Sequence, residues 1–338
     1  MGNQKIRFNV KNKVNALDHV SWQQAKVLEL QKEHAEAFDT SAGTYEDLRA
    51  NYRKERAQWN SGGPEMADTK EVSVQVGDFA VPVRVLYPKK VEKATPVIFF
   101  IHGGGMVVGD NDTHGLVQRK LAAYSGCIVA GIEYTLSPEG IYPRPVDESV
   151  GVVNYFQENA EEYKIDPNAI GFAGDSGGAN ISMGSIIKLR DDGFDMAKIK
   201  AAILYYGGYG IGSSISGALH GGAWDGLNEE DLLYYRTLYL GDQDPLDCPY
   251  YSIYTNDLSY GIPPCFIVAS DLDPLRDDSV LLHNILQNHG LKSEYVEYKG
   301  ALHAFVHYSK VMDDAEDCIR RGAHFFAHEC GLDPRNEI

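Results

Sequence analysis

The sequence lacks long apolar runs, and this absence argues against a membrane span. No segment of the 338 residues approaches the roughly 20 consecutive apolar residues that a transmembrane helix needs. Residues 1–20 mix charged side chains among isolated apolar ones, so they also lack the apolar centre of a signal peptide. We therefore expect a cytoplasmic protein that has no membrane partner.

Positive charge and paired cysteines are also scarce. The chain has 31 Lys and Arg against 48 Asp and Glu, a formal net charge of −17. Such a surface repels phosphate backbones, so nucleic acid is not an expected partner. The five cysteines are far apart and show no CxxC spacing, which argues against a disulfide framework and against a zinc site. We expect no metal.

The length fits one α/β domain that carries an extra cap. Residues 1–65 are polar and predicted to be helical, with Thr44 as a helix N-cap and Asp47 three positions later, and we assign them to N-terminal cap helices. Residues 66–338 form the predicted main domain. A segment at about 207–260, rich in glycine and tyrosine, interrupts that domain and is the predicted second half of the cap.

Two kinds of strand are predicted in the main domain. Valines alternate along 72–76 and 81–85, which is typical of half-buried strands at a sheet edge. Short, nearly continuous apolar runs are expected of parallel strands buried on both faces, and they occur at 96–101, 127–132, 169–173, 201–205 and 265–269. Predicted helices such as 178–189 and 278–288 separate the runs. The fold class is therefore α/β, with a doubly wound, mostly parallel sheet.

A nucleophile elbow is predicted at Gly174–Gly178, whose sequence is GDSGG. This G-x-S-x-G pattern lies between an apolar strand and a helix, the context that exposes a serine hydroxyl on a sharp turn. The flanking glycines remove side chains that would clash with that turn. The pattern indicates that Ser176 is a nucleophile. The alternative is a glycine-rich turn in which the serine is incidental.

A second glycine motif, His102–Gly105 (HGGG), follows another apolar strand. Acyl transfer puts negative charge on the former carbonyl oxygen, and each N–H group that meets this oxygen contributes on the order of 10²–10³ in rate. The predicted donors of this oxyanion hole are the amides of Gly103, Gly104, Gly105 and Gly177. The predicted anchors of the two motifs are His102 and Asp175. A phosphate-binding loop is disfavoured, because no Lys-Ser/Thr pair follows and GxGxxG is absent.

An aspartate and a histidine complete the chain order Ser, Asp, His that this fold class requires. Asp273 follows the apolar run 265–269, and His303 precedes a final predicted helix. Ligand sites in open α/β sheets lie at the C-terminal ends of strands, so both side chains are expected to meet Ser176. Rivals occur for both positions, namely His220, His307, Asp271, Asp277 and Asp278. Of these, Asp277 is expected to cap the helix that follows it.

With these motifs and Tyr134–Glu139 (YTLSPE), the chain resembles the hormone-sensitive-lipase-like (GDXG) family of bacterial esterases. It is similar to the bacterial acetyl esterases of that family over nearly its whole length. The resemblance implies an α/β-hydrolase fold with a helical cap, hydrolysis of short acyl esters and no cofactor. Two positions depart from the family pattern. Gly177 stands where many members have alanine, and Met106 stands where an aromatic residue often follows the HGGG glycines.

We therefore predict a serine carboxylesterase in which His303 takes the proton of Ser176 and Asp273 orients that histidine. The partner is a small-molecule ester, and the residues predicted to line its pocket are Met106, Tyr209 and Trp224. An aryl or feruloyl esterase and an amidase are alternatives on the same scaffold. A non-catalytic ligand-binding or regulatory protein is a further alternative, which the presence of His303 disfavours. A homodimer and a regulatory protein contact both stay open.

Overall fold

The computed structural model describes residues 9–35, 43–89, 91, 93–222, 224 and 227–335. Its strands are β1 (Asp68–Val76), β2 (Phe79–Tyr87), β3 (Thr95–Ile101), β4 (Ile128–Ile132), β5 (Ile165–Asp175), β6 (Ile199–Tyr205), β7 (Cys265–Ser270) and β8 (Ser293–Tyr298). Its helices are α1 (Trp22–Ala35), α2 (Tyr45–Asn60), α3 (Gly115–Ser125), α4 (Arg144–Glu158), α5 (Ala160–Tyr163), α6 (Gly177–Asp191), α7 (Ile215–Leu219), α8 (Glu229–Leu240), α9 (Arg276–Asn288) and α10 (Asp313–Glu329). The predicted strands and helices are therefore confirmed.

The strands form one eight-stranded sheet in the order β1-β2-β4-β3-β5-β6-β7-β8. At one edge β1 pairs antiparallel with β2, and β2 pairs antiparallel with β4. The other neighbours pair in parallel. This is the mostly parallel sheet that the apolar runs predict, with the alternating valine strands at its edge. It places the C-terminal ends of β5, β7 and β8 along one side of the sheet.

Helices cover both faces of the sheet, and this explains why its central strands are apolar throughout. Along β3, Val97, Phe99 and Ile101 pack into one apolar core, which also contains side chains of α4, α6 and α9. The intervening Ile98 and Phe100 pack into a second core with α3 and α10. Because successive side chains of a strand point to opposite faces, a strand between two cores has no polar face.

Helices outside the alternating part of the chain lie at both predicted cap segments. In the first segment α1 and α2 precede β1, and Thr44 caps α2 in a reciprocal capping box with Asp47, as predicted. In the second segment α7 and α8 lie between β6 and β7, and Asn228 caps α8 in the same way. The division of the chain at residue 65 and the insertion at 207–260 stay predictions. Within the described ranges, no helix is both long and apolar enough to cross a membrane.

Candidate active site

The turn between β5 and α6 holds Ser176 in a strained conformation. Its φ is 52° and its ψ is −120°, a region that residues with a side chain rarely adopt. The Ser176 amide donates to the carbonyl of Tyr205 at 2.9 Å, which fixes the turn to the neighbouring strand. A Cβ on Gly178 would lie 2.0 Å from the carbonyl oxygen of Ile101, so this position of the motif requires glycine. The sharp turn expected of the GDSGG motif is present.

A chain of hydrogen bonds joins Ser176, His303 and Asp273. Nε2 of His303 lies 2.8 Å from Oγ of Ser176, and Nδ1 of His303 lies 2.7 Å from Oδ2 of Asp273. The second carboxylate oxygen of Asp273 accepts from the amide of Leu275 at 2.8 Å. A proton on Nδ1 that is donated to Asp273 leaves the Nε2 lone pair facing the serine hydroxyl. This tautomer is the one that a general base needs.

The rival aspartates each accept backbone hydrogen bonds elsewhere. Asp271 accepts from the amide of Gly300 at 2.7 Å, and Asp278 accepts from the amide of Tyr209 at 2.6 Å. The expectation that Asp277 caps the following helix is wrong. Because α9 begins at Arg276, Asp277 lies inside the first turn, and its carboxylate accepts from the amide of Ser216 at the start of α7. It joins the cap segment to α9 instead.

The rival histidines lie away from the serine hydroxyl. His307 follows His303 by one short turn, and its Nε2 lies 3.5 Å from Asp175. His220 ends α7 in the cap segment, where burial lowers its pKa. In the part of the chain that the structure describes, the histidine within hydrogen-bonding distance of Ser176 is His303.

The predicted oxyanion hole needs one correction. The amide of Gly103 donates to Oδ1 of Asp175 at 2.9 Å, so it is engaged and not available to a substrate oxygen. The amides of Gly104, Gly105 and Gly177 have no acceptor among the described residues, and they remain the candidate donors. Gly104 and Gly105 adopt φ of 108° and 60°, which a glycine adopts without strain.

Asp175 ties the two glycine motifs together from a fully buried position. Besides Gly103, it faces Nε2 of His114 at 3.3 Å and Nε2 of His307 at 3.5 Å. Burial alone would raise the pKa of Asp175, but these two histidines hold its pKa well below the usual range. The carboxylate next to Ser176 therefore stays ionised and holds the glycine loop through the Gly103 amide. Neither histidine contact was expected from the sequence.

His114, Asp175 and His307 are also the residue types that could ligate a metal, and their candidate ligand atoms lie within 4.8 Å of one another. Two observations favour a hydrogen-bonded cluster instead. Asp175 already accepts from the Gly103 amide through Oδ1. Burial and the positive charge of Arg56 together lower the pKa of His307 to about 3, and the same guanidinium charge opposes the binding of a second cation here.

His102 is the second buried anchor of the glycine loop. Its ring stacks on Tyr134 of the YTLSPE segment, with the ring centroids 4.4 Å apart. The hydroxyl of Tyr134 donates to the carbonyl of His102 at 2.9 Å. Burial lowers the pKa of His102 to about 4, so the imidazole is neutral near pH 7. These contacts agree with a supporting role and not with that of a base.

The three residues predicted to line the substrate pocket lie in different environments. Met106 is buried beside the elbow, and a Cβ on Gly177 would lie 2.9 Å from its Sδ. Trp224 lines a cavity together with His303. The prediction for Tyr209 is wrong, because its side chain is fully buried in the apolar core. Tyr235 of α8, which was not predicted as a site residue, lies with its ring against Gly105 of the glycine loop.

A cavity of about 250 Å³ opens beside His303 under the N-terminal helices. Its polar lining includes Gln24 of α1 together with Tyr52, Glu55 and Arg56 of α2. None of these was predicted as a site residue, since a polar helix that lines a cavity has the same composition as one that faces solvent. Only the helical spacing of α2, which places Tyr52 and Arg56 one turn apart, indicates a shared face.

The fold and the site together have the arrangement of a serine hydrolase of the α/β class. A family model described as alpha/beta hydrolase fold matches residues 98–307, from β3 to the turn after His303. The chain belongs to this family, in its hormone-sensitive-lipase-like (GDXG) group, and it is a carboxylic ester hydrolase. It is 42% identical over 316 residues to the acetyl esterases of Salmonella paratyphi B and Salmonella typhi, covering 93% of this chain and 96% of the relative in each case.

Solved structures of esterases share the same fold. A thermophilic carboxylesterase cloned from a metagenomic library is 25% identical with a TM-score of 0.80, over 88% of this chain and 100% of the other. An esterase of Pyrobaculum calidifontis is 24% identical with a TM-score of 0.81, over 92% of this chain and 99% of the other. The α/β-hydrolase fold expected from the sequence is thus confirmed.

Proposed function

We propose that this carboxylesterase hydrolyses short acyl esters, acetyl esters above all, through an acyl-enzyme on Ser176. The observation that carries the proposal is the hydrogen-bond chain from Ser176 through His303 to the buried Asp273. It lies beside the elbow amide of Gly177, which has no acceptor among the described residues. A base, a nucleophile and a candidate oxyanion donor therefore meet at one strand end.

The reaction has two steps. His303 takes the proton of Ser176 as the oxygen attacks the ester carbonyl, and the amides of Gly104, Gly105 and Gly177 bind the oxyanion of the tetrahedral intermediate. The intermediate collapses when His303 gives the proton to the leaving alcohol. Water then attacks the acyl-enzyme with the same histidine as base, which releases the acid and restores the serine. Asp273 stabilises the imidazolium in both steps.

The preference for short acyl groups is supported by two observations. The relatives that are 42% identical are acetyl esterases. Moreover, Met106 packs against Gly177 and the ring of Tyr235 covers Gly105, so bulky side chains fill the space around the candidate donors. A closed pocket gains roughly 0.8 kcal/mol for each methylene that fits and loses about 1–3 kcal/mol once it is overfilled.

The experiment is an acyl-chain series of p-nitrophenyl esters. We expect kcat/KM to peak at about two to four acyl carbons and to fall steeply by about eight, because a small pocket is then overfilled. In the control, Ser176→Ala should abolish hydrolysis of every ester while the free energy of unfolding stays within about 1 kcal/mol. A profile that still rises at eight carbons would contradict the short-chain preference, and organophosphate labelling at another serine would contradict the nucleophile.

The cellular setting stays part of the proposal. We infer a cytoplasmic enzyme that acts on small-molecule esters, with neither nucleic acid nor membrane as a partner. The negative net charge supports the first exclusion. Other possibilities raised by the sequence remain predictions. They are a homodimer, a regulatory protein contact, and activity as an aryl esterase, feruloyl esterase or amidase.

A further inference from the structure

The cavity beside His303 is lined by side chains that include three N–H or O–H donors without an acceptor among the described residues. Gln24 of α1 is 1% exposed, and its Oε1 accepts from the amide of Leu302, next to the catalytic histidine. Its Nε2 makes no hydrogen bond to any described residue. The hydroxyl of Tyr52 likewise has no partner there, and burial raises its pKa well above the usual range, so it keeps its proton. Both groups line the cavity.

Trp224 adds a third donor from the other cap segment. Its indole Nε1 is buried and finds no acceptor within the described ranges. Its side chain lines the same cavity as Gln24 and Tyr52. Buried polar groups in native proteins are hydrogen-bonded in the large majority of cases. The buried indole N–H of Trp224 therefore needs an acceptor, and the donors of Gln24 and Tyr52, which line the same cavity, fit a ligand with several acceptor oxygens.

The charges around the cavity indicate that this ligand is neutral. The buried guanidinium of Arg56 lies with its Nε 3.1 Å from the carboxylate of Glu55, and its Nη1 donates to the hydroxyl of Tyr308 at 3.0 Å. The positive charge of the lining is thus balanced by an adjacent negative one. An anionic ligand would face Glu55 as well as Arg56, and the chain as a whole carries a net charge of −17.

The position of the cavity decides which part of the ester would occupy it. His303 lines the cavity and also lies 2.8 Å from the Ser176 hydroxyl. In ester hydrolysis the histidine gives its proton to the leaving alcohol, so the alcohol part must lie against this side chain. The acyl part lies instead on the candidate oxyanion donors, where Met106 and Tyr235 limit its size.

We propose that the cavity binds the alcohol part of the substrate and that this alcohol is a neutral polyol, such as a monosaccharide with an acylated hydroxyl. The hydroxyl oxygens accept from Gln24, Tyr52 and Trp224, and the indole also offers an apolar face to the C–H groups of the sugar. Binding sites for small molecules combine such apolar walls with a few convergent polar groups. This inference rests on the proposed function, since it names the substrate class of the same site.

The test compares three acetate esters on the full-length protein: methyl 6-O-acetyl-α-D-glucopyranoside, ethyl acetate and O-acetyl-lactate. The acyl group is constant, so ratios of kcat/KM report the alcohol site. We expect the sugar ester to exceed ethyl acetate by about tenfold or more, as one or two added hydrogen bonds allow. Tyr52→Phe removes one hydroxyl without changing the shape of the side chain, and it should lower that ratio by about fivefold to tenfold.

Tyr260→Phe is the matched control, because it removes a hydroxyl from an exposed tyrosine that packs on Arg190 at the surface. It should leave both the ratio and the activity unchanged. A wild-type ratio near one, a ratio that Tyr52→Phe does not lower, or a preference for O-acetyl-lactate would overturn the inference and leave the esterase activity standing.

A binding measurement separates this inference from the proposed function. Saturation-transfer NMR with methyl α-D-glucopyranoside needs no catalysis, so it is carried out on Ser176→Ala with and without Tyr52→Phe. Binding that weakens in the double variant supports the polyol site, and absence of binding overturns it. Failure of the wild type to hydrolyse any ester would contradict the proposed function alone.

Discussion

At the scale of single residues, four aspartates follow β7 within a few positions, and the contacts of the first three distinguish their roles. Asp273 is fully buried and hydrogen-bonds Nδ1 of His303 at 2.7 Å. Asp271 accepts from the amide of Gly300 and lies 3.8 Å from the ammonium of Lys299. Asp277 binds the start of α7. The same sequence stretch thus supplies one residue of the site and two that hold neighbouring loops.

The first prediction separates Asp273 from Asp271. Asp273→Asn should lower kcat by about 10⁴, because an amide at this position favours the wrong tautomer of His303. Asp271→Asn keeps an oxygen for the Gly300 amide and should cost less than about tenfold. Steady-state kinetics on p-nitrophenyl acetate measures both. If Asp271→Asn is the more damaging change, the assignment of Asp273 is wrong.

A second pair of residues accounts for both departures from the family pattern. Gly177 and Met106 are in contact, since a Cβ on Gly177 would lie 2.9 Å from Sδ and 3.4 Å from Cε of Met106. Residue 177 lacks the methyl group that alanine would supply, and the flexible side chain of Met106 lies in the space beside it. Neither motif indicates this contact, because 71 positions separate the two residues in the sequence.

We predict that Gly177→Ala lowers kcat/KM for p-nitrophenyl acetate in the wild-type background but not in Met106→Ala. The new methyl group displaces the methionine tip beside the Gly177 amide, whereas the shorter alanine leaves room for it. A double-mutant cycle should give a coupling of about 1 kcal/mol. Additive effects of the two substitutions would show that the contact does not matter for catalysis.

At the scale of elements, α9 is joined to the cap segment by a buried carboxylate near its N-terminus. Oδ1 of Asp278 accepts from the amides of Tyr209 and Ile211 in the chain that follows β6. Burial, opposed by the two amides and assisted by the charges of Asp273 and Asp277, raises the pKa of Asp278 to about 7. The side chain therefore holds a proton in the folded protein at pH 5 and loses it near neutral pH.

This raised pKa predicts a change of stability with pH. Between about pH 4 and pH 7 the unfolded chain releases the Asp278 proton while the folded chain keeps it, so stability decreases as pH rises through this range. Asp278→Asn keeps the acceptor oxygen and has no proton to lose. The variant should therefore match the wild type near pH 4 and be more stable at pH 8, by at most about 4 kcal/mol. Urea unfolding at several pH values measures this difference.

The control for this prediction is Asp257→Asn, an exposed aspartate whose pKa is lowered by hydrogen bonds from Ser259. Its linkage has the opposite sign, since a depressed pKa stabilises the folded state above the unfolded pKa. A difference between Asp278→Asn and wild type that stays constant from pH 4 to pH 8 would contradict the raised pKa.

At the scale of the whole molecule, one arginine clamps the N-terminal helices onto the loops around the site. Arg49 of α2 donates through Nε to the carbonyl of Val107 at 3.0 Å and through Nη2 to the carbonyl of Ser137 at 2.8 Å. Its guanidinium also binds Glu139 in a bidentate ion pair, at 2.6 and 3.1 Å. The clamp therefore reaches both the HGGG loop and the YTLSPE segment.

We predict that Arg49→Met lowers both stability and activity. The loss of charge-assisted hydrogen bonds should reduce the free energy of unfolding by about 2 kcal/mol, and the loosened HGGG loop should lower kcat/KM. Arg49→Lys should restore only part of the effect, because one ammonium group cannot replace the planar fork. Lys54→Met, on the exposed side of the same helix, is the control and should change little. Equal effects at Arg49 and Lys54 would contradict the clamp.

The sequence by itself determined the strands, the elbow and the order of the three site residues, because these depend on local chemistry. Apolar runs such as 96–101 follow from burial on both faces, and the GDSGG turn follows from the conformations that glycine allows. The capping box at Thr44 involves side chains only three residues apart. Patterns of this kind are complete within one short segment.

Only the tertiary structure decided which of several equivalent groups carries which contact. Gly103 and Gly104 are equal in sequence, but Asp175 reaches across 72 positions to engage the amide of Gly103. Tyr209 and Trp224 are both aromatic residues of the cap segment, but one is in the core and the other lines the cavity. Such choices depend on packing between distant segments, where the identity of a residue does not indicate its neighbours.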